Sequence, residues 1–462
     1  MTTSLLEAVA RAATETDIFR RSGTVLRVSG EVLDVAGVNL RPRELAYVDD
    51  VGGAKLVAMC TRASGGNMQL SLLDRGTVAI GGRATAAGMA ASAPTGYSLA
   101  GRILDGLGRP LDGGSPLHGA RWIPGHAEPP HPLDRAPISE PLPTGVRAID
   151  AFLTVGRGQR VGIFAGSGVG KSTLLGMLAR GTAADITVIA LIGERGREVR
   201  DFVEHDLGAE ALGKCIVVAS TGDNPAAMRL QAASTATAIA EGFRDEGNNV
   251  LLLFDSLTRV AMAQRELGLA AGEPPTTKGY PPSVFSLLPH LMERAGPARE
   301  GSITAIYTVL VDGEDMDEPI ADLTRATLDG HIVLKRSLAN AGHYPPIDVL
   351  ASISRLMERV AQPGHRTAAR SLREIMAAHA EARDLISIGA YVAGSDANVD
   401  AAIELLPKVN LLLRQSASEI TPFESTVRVL EALAGFPPET NLVARNDDDT
   451  DAQAPAETGE LS

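Results

Sequence analysis

The apolar positions of this 462-residue chain change their period along its length. Over 22–95 they come in short β-rich runs broken by glycine and aspartate: Gly23-Thr24-Val25-Leu26-Arg27-Val28, Gly30-Glu31-Val32-Leu33-Asp34-Val35 and Lys55-Leu56-Val57-Ala58-Met59-Cys60. Short strands punctuated by turn residues predict a small closed β-barrel. From 147 to 360 the runs become almost wholly apolar, as in Val161-Gly162-Ile163-Phe164, Val188–Ile192, Val250–Phe254 and Ile303–Leu310, and they alternate with helical stretches. That alternation predicts a parallel sheet covered on both faces. From Ser352 to about Ala434 helical patterns dominate, with Leu385, Ile386, Ile388, Leu405, Leu406, Val409, Leu411, Leu412 and Leu413 as the expected core of a small helical domain.

The remaining stretches fill the gaps. Residues 4–21 predict a short amphipathic helix, either a cap on the next domain or a partner-docking element. Residues 96–146 carry Gly101-Arg102-Ile103-Leu104-Asp105-Gly106 and a proline-rich crossing from Pro124 to Pro143, with apolar residues throughout, and predict an extended connector. After Arg445 the chain is acidic and poor in apolar residues, so it cannot bury enough to order itself. The expected division is 1–21 helix, 22–95 β-barrel, 96–360 nucleotide-binding α/β domain, 361–445 helical domain and 446–462 acidic tail.

Candidate chemistry lies at the ends of the apolar runs. Directly after Phe164 comes Ala165-Gly166-Ser167-Gly168-Val169-Gly170-Lys171-Ser172, then Thr173. A strand, a glycine-rich loop and a Lys-Ser pair opening a helix together form a cradle for the phosphates of a nucleoside triphosphate. The glycines let backbone N–H groups curl round phosphate oxygens, and the helix N-terminus adds partial positive charge. Lys171 can reach the β- and γ-phosphates, and the Ser172 hydroxyl can ligate Mg²⁺. Ala165 stands where the strict pattern has glycine, a substitution small enough for the loop to survive. Downstream, Asn249–Phe254 delivers Asp255 at a strand end, where it can help to hold Mg²⁺. Val188–Ile192 delivers Glu194 and Arg195, a carboxylate placed to orient an attacking water, or else a surface ion pair.

Composition narrows the class. Hydrophobic residues make up 44% and charged residues 21%, the balance of a soluble globular chain. Net charge is −13 and aromatics are only 3%, which argues against a nucleic-acid surface built on basic patches and stacking platforms. Cys60 and Cys215 are the only cysteines and are expected to be buried thiols, consistent with a reducing compartment. No signal peptide and no apolar stretch long enough to span a bilayer are evident, so the expected location is the cytosol or the membrane periphery.

Longer motifs carry a family resemblance. They are Pro141-Leu142-Pro143-Thr144-Gly145-Val146-Arg147-Ala148-Ile149-Asp150, Val155-Gly156-Arg157-Gly158-Gln159-Arg160-Val161, Gly193-Glu194-Arg195-Gly196-Arg197-Glu198-Val199, Gly272-Glu273-Pro274-Pro275, Gly279-Tyr280-Pro281-Pro282-Ser283-Val284-Phe285 and Gly342-His343-Tyr344-Pro345-Pro346-Ile347-Asp348-Val349-Leu350. With the order barrel, phosphate-loop domain, helical domain, the chain from Gly23 to Ala434 resembles the ATPases of flagellar and virulence type III secretion systems. These are themselves similar to the catalytic β subunit of ATP synthase. Pro346 departs from the family, which more often has alanine there.

The resemblance implies an α/β fold with a RecA-like P-loop core between an N-terminal barrel and a C-terminal helical domain, using ATP and Mg²⁺. It implies that Gly166 to Thr173 bind the phosphates, that Glu194 positions water and that Arg195 and Arg259 lie near the γ-phosphate. It further implies that Ser172 and Asp255 hold Mg²⁺, that Tyr344 packs on adenine and that Arg355 reaches a neighbouring subunit's site. Read without it, Tyr344 could be a core residue and Arg355 could pair within its own chain. An intact Glu194 with a complete phosphate loop fits a homohexamer with identical sites.

The implied function is ATP hydrolysis coupled to protein export, with the phosphate loop pointing to the flagellar rather than the injectisome system. The implied partners are a stator-like regulator, a central stalk protein, export chaperone–substrate complexes and a membrane export gate, without nucleic acid, at the inner face of the cell membrane. Two rivals stay open at this point: an RNA-dependent hexameric motor of the Rho type, and a nucleotide-binding ring subunit without turnover.

Overall fold

A computed structural model describes residues 21–435 except 312 and 314. The helix expected over 4–21 lies almost wholly outside the described residues, and the acidic tail lies entirely outside them. Strands β1 (Ser22–Ser29), β2 (Val32–Ala36), β3 (Glu44–Asp49), β4 (Lys55–Ser64), β5 (Asn67–Leu72) and β6 (Arg83–Ala90) close into an antiparallel barrel in the order β1–β2–β5–β4–β3–β6. Period-two alternation fills its interior with Val25, Leu33, Val35, Val48, Ala58 and Leu70, and Cys60 is buried among them as a free thiol.

The connector is ordered by pairing. β7 (Ser92–Thr95) and β9 (Arg121–Pro124) form a two-stranded ribbon, while β8 (Ile103–Leu104) adds itself to the edge of the main sheet. Asp112 holds that edge strand in place. It accepts from Arg102 Nε at 2.7 Å, Arg102 Nη2 at 3.0 Å, Ile103 N at 3.1 Å and Gly114 N at 2.8 Å. The Arg102 guanidinium holds the Asp112 carboxyl well below the ordinary carboxylate range.

The main sheet comprises β10 (Arg160–Ala165), β11 (Ile186–Ile192), β12 (Cys215–Ser220), β13 (Asn249–Asp255), β14 (Gly296–Pro297), β15 (Ser302–Leu310), β16 (Gly330–Leu334) and β17 (Ile347–Ser354), with β8. Its order is β17–β16–β10–β15–β13–β11–β12–β8, and β14 pairs beside β15. Apart from β14 and β17 every pairing is parallel. All seven residues of β11 are buried because both faces are covered. Val188, Ala190 and Ile192 pack towards the helices Ala226–Arg244, Leu257–Ala270 and Pro282–Glu293, whereas Ile189 and Leu191 pack into the opposite layer with the helix Lys171–Gly181 and the C-terminal helices.

The C-terminal helices Pro363–Ser387, Ala397–Leu413 and Phe423–Leu433 present only one face inward. Val409, Leu412 and Leu413 are buried there, at i, i+3 and i+4, but Leu411 is 72% exposed. Leu385 and Ile388 are likewise exposed, at 51% and 74%. The expected core of that domain is corrected accordingly: three helices around one seam cannot bury every member of a continuous apolar run. Among the described residues no helix is long and apolar enough to cross a membrane.

Candidate active site

Strand register brings the candidate residues together. Ala165 pairs with Leu310 and Leu191 with Asp255, so β10, β11, β13 and β15 end at one edge of the sheet. Ligands of open α/β sheets bind at such an edge. Gly170 takes φ 106°, a conformation that admits glycine and few others, and turns the loop into the helix Lys171–Gly181 without any side-chain cap. The first N–H groups of that helix therefore stay open for an anion.

Beneath the loop lies a largely buried triad of charges. Lys171 Nζ sits 2.5 Å from Asp255 Oδ1 and 3.5 Å from Glu194 Oε1. Thr308 Oγ1 donates to the same Asp255 oxygen at 2.7 Å. Burial pushes Lys171 down, but the charges of Asp255 and Glu194 outweigh it and its pKa stands above the ordinary lysine value. Burial raises Glu194, with Lys171 opposing and Asp255 adding to the rise. The site is thus a cation between two carboxylates at the base of a phosphate-sized loop. Ser172, Glu194 and Asp255 line one small crevice. Their oxygens are the hard donors that Mg²⁺ prefers. No cluster of three or more His, Cys, Asp or Glu suited to a metal occurs among the described residues, so a metal here would draw its other ligands from phosphate and water.

Arg259 enters from the helix Leu257–Ala270, whose N-terminus Ser256 caps by accepting from Arg259 N at 3.4 Å. Gly193, at φ 75°, lets the chain pass close by, since a Cβ there would lie 2.7 Å from Arg259 Cβ. Arg259 Nε is buried without a partner among the described residues, a donor left over at the site. Tyr344 is half exposed rather than core, with its ring near Gly170 of the phosphate loop. Gln415 N donates to the Tyr344 carbonyl at 2.8 Å and ties that wall to the C-terminal domain.

Three candidates stand apart. Arg195 points outward, its side chain 85% exposed and 3.6 Å from Glu198. Thr173 turns to Asp206, whose carboxylate it hydrogen-bonds. Arg355 lies at the far end of the sheet. Its N–H donates to Asp329 O at 3.0 Å, and Asp329 N donates to Arg160 O at 2.9 Å, so Arg355 sits level with the start of β10. The phosphate loop begins at the other end of that strand, roughly 17 Å away at ~3.3 Å per residue. Arg355 forms no ion pair among the described residues; its guanidinium donates only to the Arg325 carbonyl, at 3.2 Å.

Sequence reading missed Arg336 and Thr308. Arg336 Nη2 donates to the Ser167 carbonyl at 2.7 Å and braces the phosphate loop from outside. Its position just beyond the carboxyl end of a parallel strand was the available signal.

Residues 145–354 match the nucleotide-binding domain of the ATP synthase alpha/beta family, and residues 361–432 match the T3SS EscN ATPase C-terminal domain. The flagellum-specific ATP synthase of Bacillus subtilis is 50% identical, over 91% of this chain and 97% of its own. The type 3 secretion system ATPase of Xanthomonas euvesicatoria is 46% identical, over 90% of this chain and 94% of its own. The structure of the assembled ATPase EscN in complex with its central stalk EscO, from enteropathogenic E. coli, superposes with a TM-score of 0.82 at 43% identity, covering 89% of this chain and all of that one. Relatives from the two secretion systems match to similar degrees and do not separate them.

Proposed function

The chain belongs to the ATPase family of flagellar and type III secretion systems, and from that membership we propose how its residues divide the hydrolysis of ATP. The observation that carries the assignment is Lys171 buried between Asp255 and Glu194 beneath the phosphate loop. Backbone N–H groups of Gly166 to Ser172 hold the phosphates. Lys171 exchanges carboxylate contacts for phosphate oxygens and follows the charge that develops on the transferred group. Glu194, freed of Lys171, orients a water in line with the γ-phosphate. Arg259 supplies its unused donor, and Arg195 swings inward from its exposed pairing. Tyr344 offers its open ring to the adenine. Ser172 and Asp255 would hold Mg²⁺, which supplies charge neutralisation at the phosphates when bound.

Arg355 is too far from its own loop to act there, and it serves the site of the next subunit. The working form is then a homohexamer around a central stalk, like that of EscN with EscO. We assign the hydrolysis to type III protein export at the inner face of the cell membrane, with a stator-like regulator, chaperone–substrate complexes and the export gate as further partners. The phosphate-loop residues Ala165 to Gly168 incline the reading to flagellar export. Family membership displaces the Rho-type reading.

The test is phosphate release by the wild type and by Lys171→Ala. Lys171→Ala should retain the circular dichroism of the wild type and lose almost all turnover. Hydrolysis comparable to the wild type would move the site elsewhere.

A further inference from the structure

Between the barrel and the nucleotide domain lies a cavity of about 750 Å³ that shares no residue with the phosphate site. Pockets of this size hold drug-sized ligands. Its body is apolar: Met59 comes from the barrel, and Leu230, Leu267 and Leu291 come from three helices of the nucleotide domain.

The polar part of the wall is biased. Arg43 and Arg62 line it, and neither forms an ion pair among the described residues. Two guanidiniums without an ion pair thus face one cavity in a chain of net charge −13. Glu273 is the one carboxylate in the wall, and its Oε2 already accepts from Ser283 N at 3.3 Å. Arg43 holds φ at 73°, in the left-handed region, and its backbone is tied on both sides: Arg43 N donates to Cys60 O at 2.7 Å and Ala91 N to Arg43 O at 3.1 Å. Such a conformation in a non-glycine residue persists where the surroundings impose it, often at functional sites. His126 is pushed down to about 3, by burial first and then by the Arg43 charge, so it joins the wall as a neutral group rather than a third cation. Gln231, 1% exposed, lies in the same wall with its Oε1 unpartnered, an acceptor open to a bridging water.

One wall is also wired to the catalytic edge. The helix Leu257–Ala270 begins beside Asp255 and carries Arg259 against Gly193, and farther along it presents Val260, Gln264 and Leu267 to the cavity. We propose that this cavity binds an amphipathic organic carboxylate, with its hydrocarbon body between barrel and helices and its carboxylate on Arg43 and Arg62. Occupancy shifts the helix Leu257–Ala270 and so tunes the nucleotide site. The second half of the proposal rests on the ATPase assignment; the first does not.

Equilibrium dialysis of the full chain with labelled dodecanoate, kept below its micelle-forming concentration, tests the binding. The wild type should bind it saturably, one per chain. The Arg43→Gln/Arg62→Gln double variant should bind about tenfold or more weakly, the loss expected for charge-assisted hydrogen bonds. Acetate should not compete, because it lacks the apolar body. Dodecanol should bind both proteins alike, because it lacks the charge. Lys171→Ala should still bind dodecanoate, which separates this site from the fate of the ATPase assignment. Equal dodecanoate binding by wild type and double variant, or no saturable binding, overturns the site. A double variant with wild-type basal hydrolysis that no longer responds to dodecanoate supports the coupling. Hydrolysis indifferent to bound dodecanoate in the wild type overturns it.

Discussion

At the scale of single residues, the charge triad makes Glu194 and Lys171 separable. Glu194→Gln keeps the shape and removes the charge, so nucleotide affinity should stay nearly unchanged while turnover falls by about 10²–10⁴, the usual worth of a positioned base. The same residue sets a pH limb. Because burial raises its pKa, it takes up its proton at a higher pH than an ordinary glutamate, whose value is ~4.3. The acid limb of kcat/KM should therefore lie above that value, and should vanish in Glu194→Gln measured against its own residual rate. A limb at or below ~4.3 would remove Glu194 from the role. Arg336 acts one step back, through the Ser167 carbonyl. Arg336→Gln should raise the KM for ATP roughly fivefold, for one exposed hydrogen bond of about 1 kcal/mol, with kcat held. Arg336→Lys should recover part of it. Equal changes in KM and kcat would mean that Arg336 supports the fold rather than the loop.

At the scale of elements, the edge strand β8 depends on Asp112 more than on its own two residues. Asp112→Ala should destabilise the protein by about 2 kcal/mol, measured by denaturant melts near neutral pH. The Asp112 pKa is depressed in the folded state, so its contribution is present above the unfolded aspartate value of ~3.9 and is lost as pH falls below it. The melts of wild type and variant should therefore converge in acid. Elements of this kind also show what was readable in advance. The phosphate loop and Asp255 were legible because their chemistry is local: a strand, its end and the turn after it. Arg336 and Thr308 were not, because their partners are set by the register of β10, β13, β15 and β16 across long stretches of chain. β3, β5 and β6 of the barrel were less apparent than β1, β2 and β4, since β6, Arg83–Ala90, is alanine-rich and carries little pattern. Leu385, Ile388 and Leu411 misled because apolar character alone does not say which side of a helix faces the seam.

At the scale of the whole molecule, Arg355 and Lys171 lie level with opposite ends of β10, and the two positions are testable together. Lys171→Ala and Arg355→Ala should each be nearly inactive. Mixed in one ring, a subunit with Lys171 intact can meet a neighbour with Arg355 intact, and that boundary should recover activity. An arginine finger is worth about 10³–10⁵ in rate, so even partial recovery should be visible above either variant alone. No recovery in rings confirmed as mixed by mass would confine Arg355 to its own chain. The separation along β10 also has a consequence for the cell. If Arg355 completes a neighbour's site, as proposed, a newly made chain carries a lock at one end and the key to a different lock at the other, and while solitary it idles. Fuel would then be spent where chains have gathered, so that the place of gathering would itself help to set where in the cell ATP is consumed.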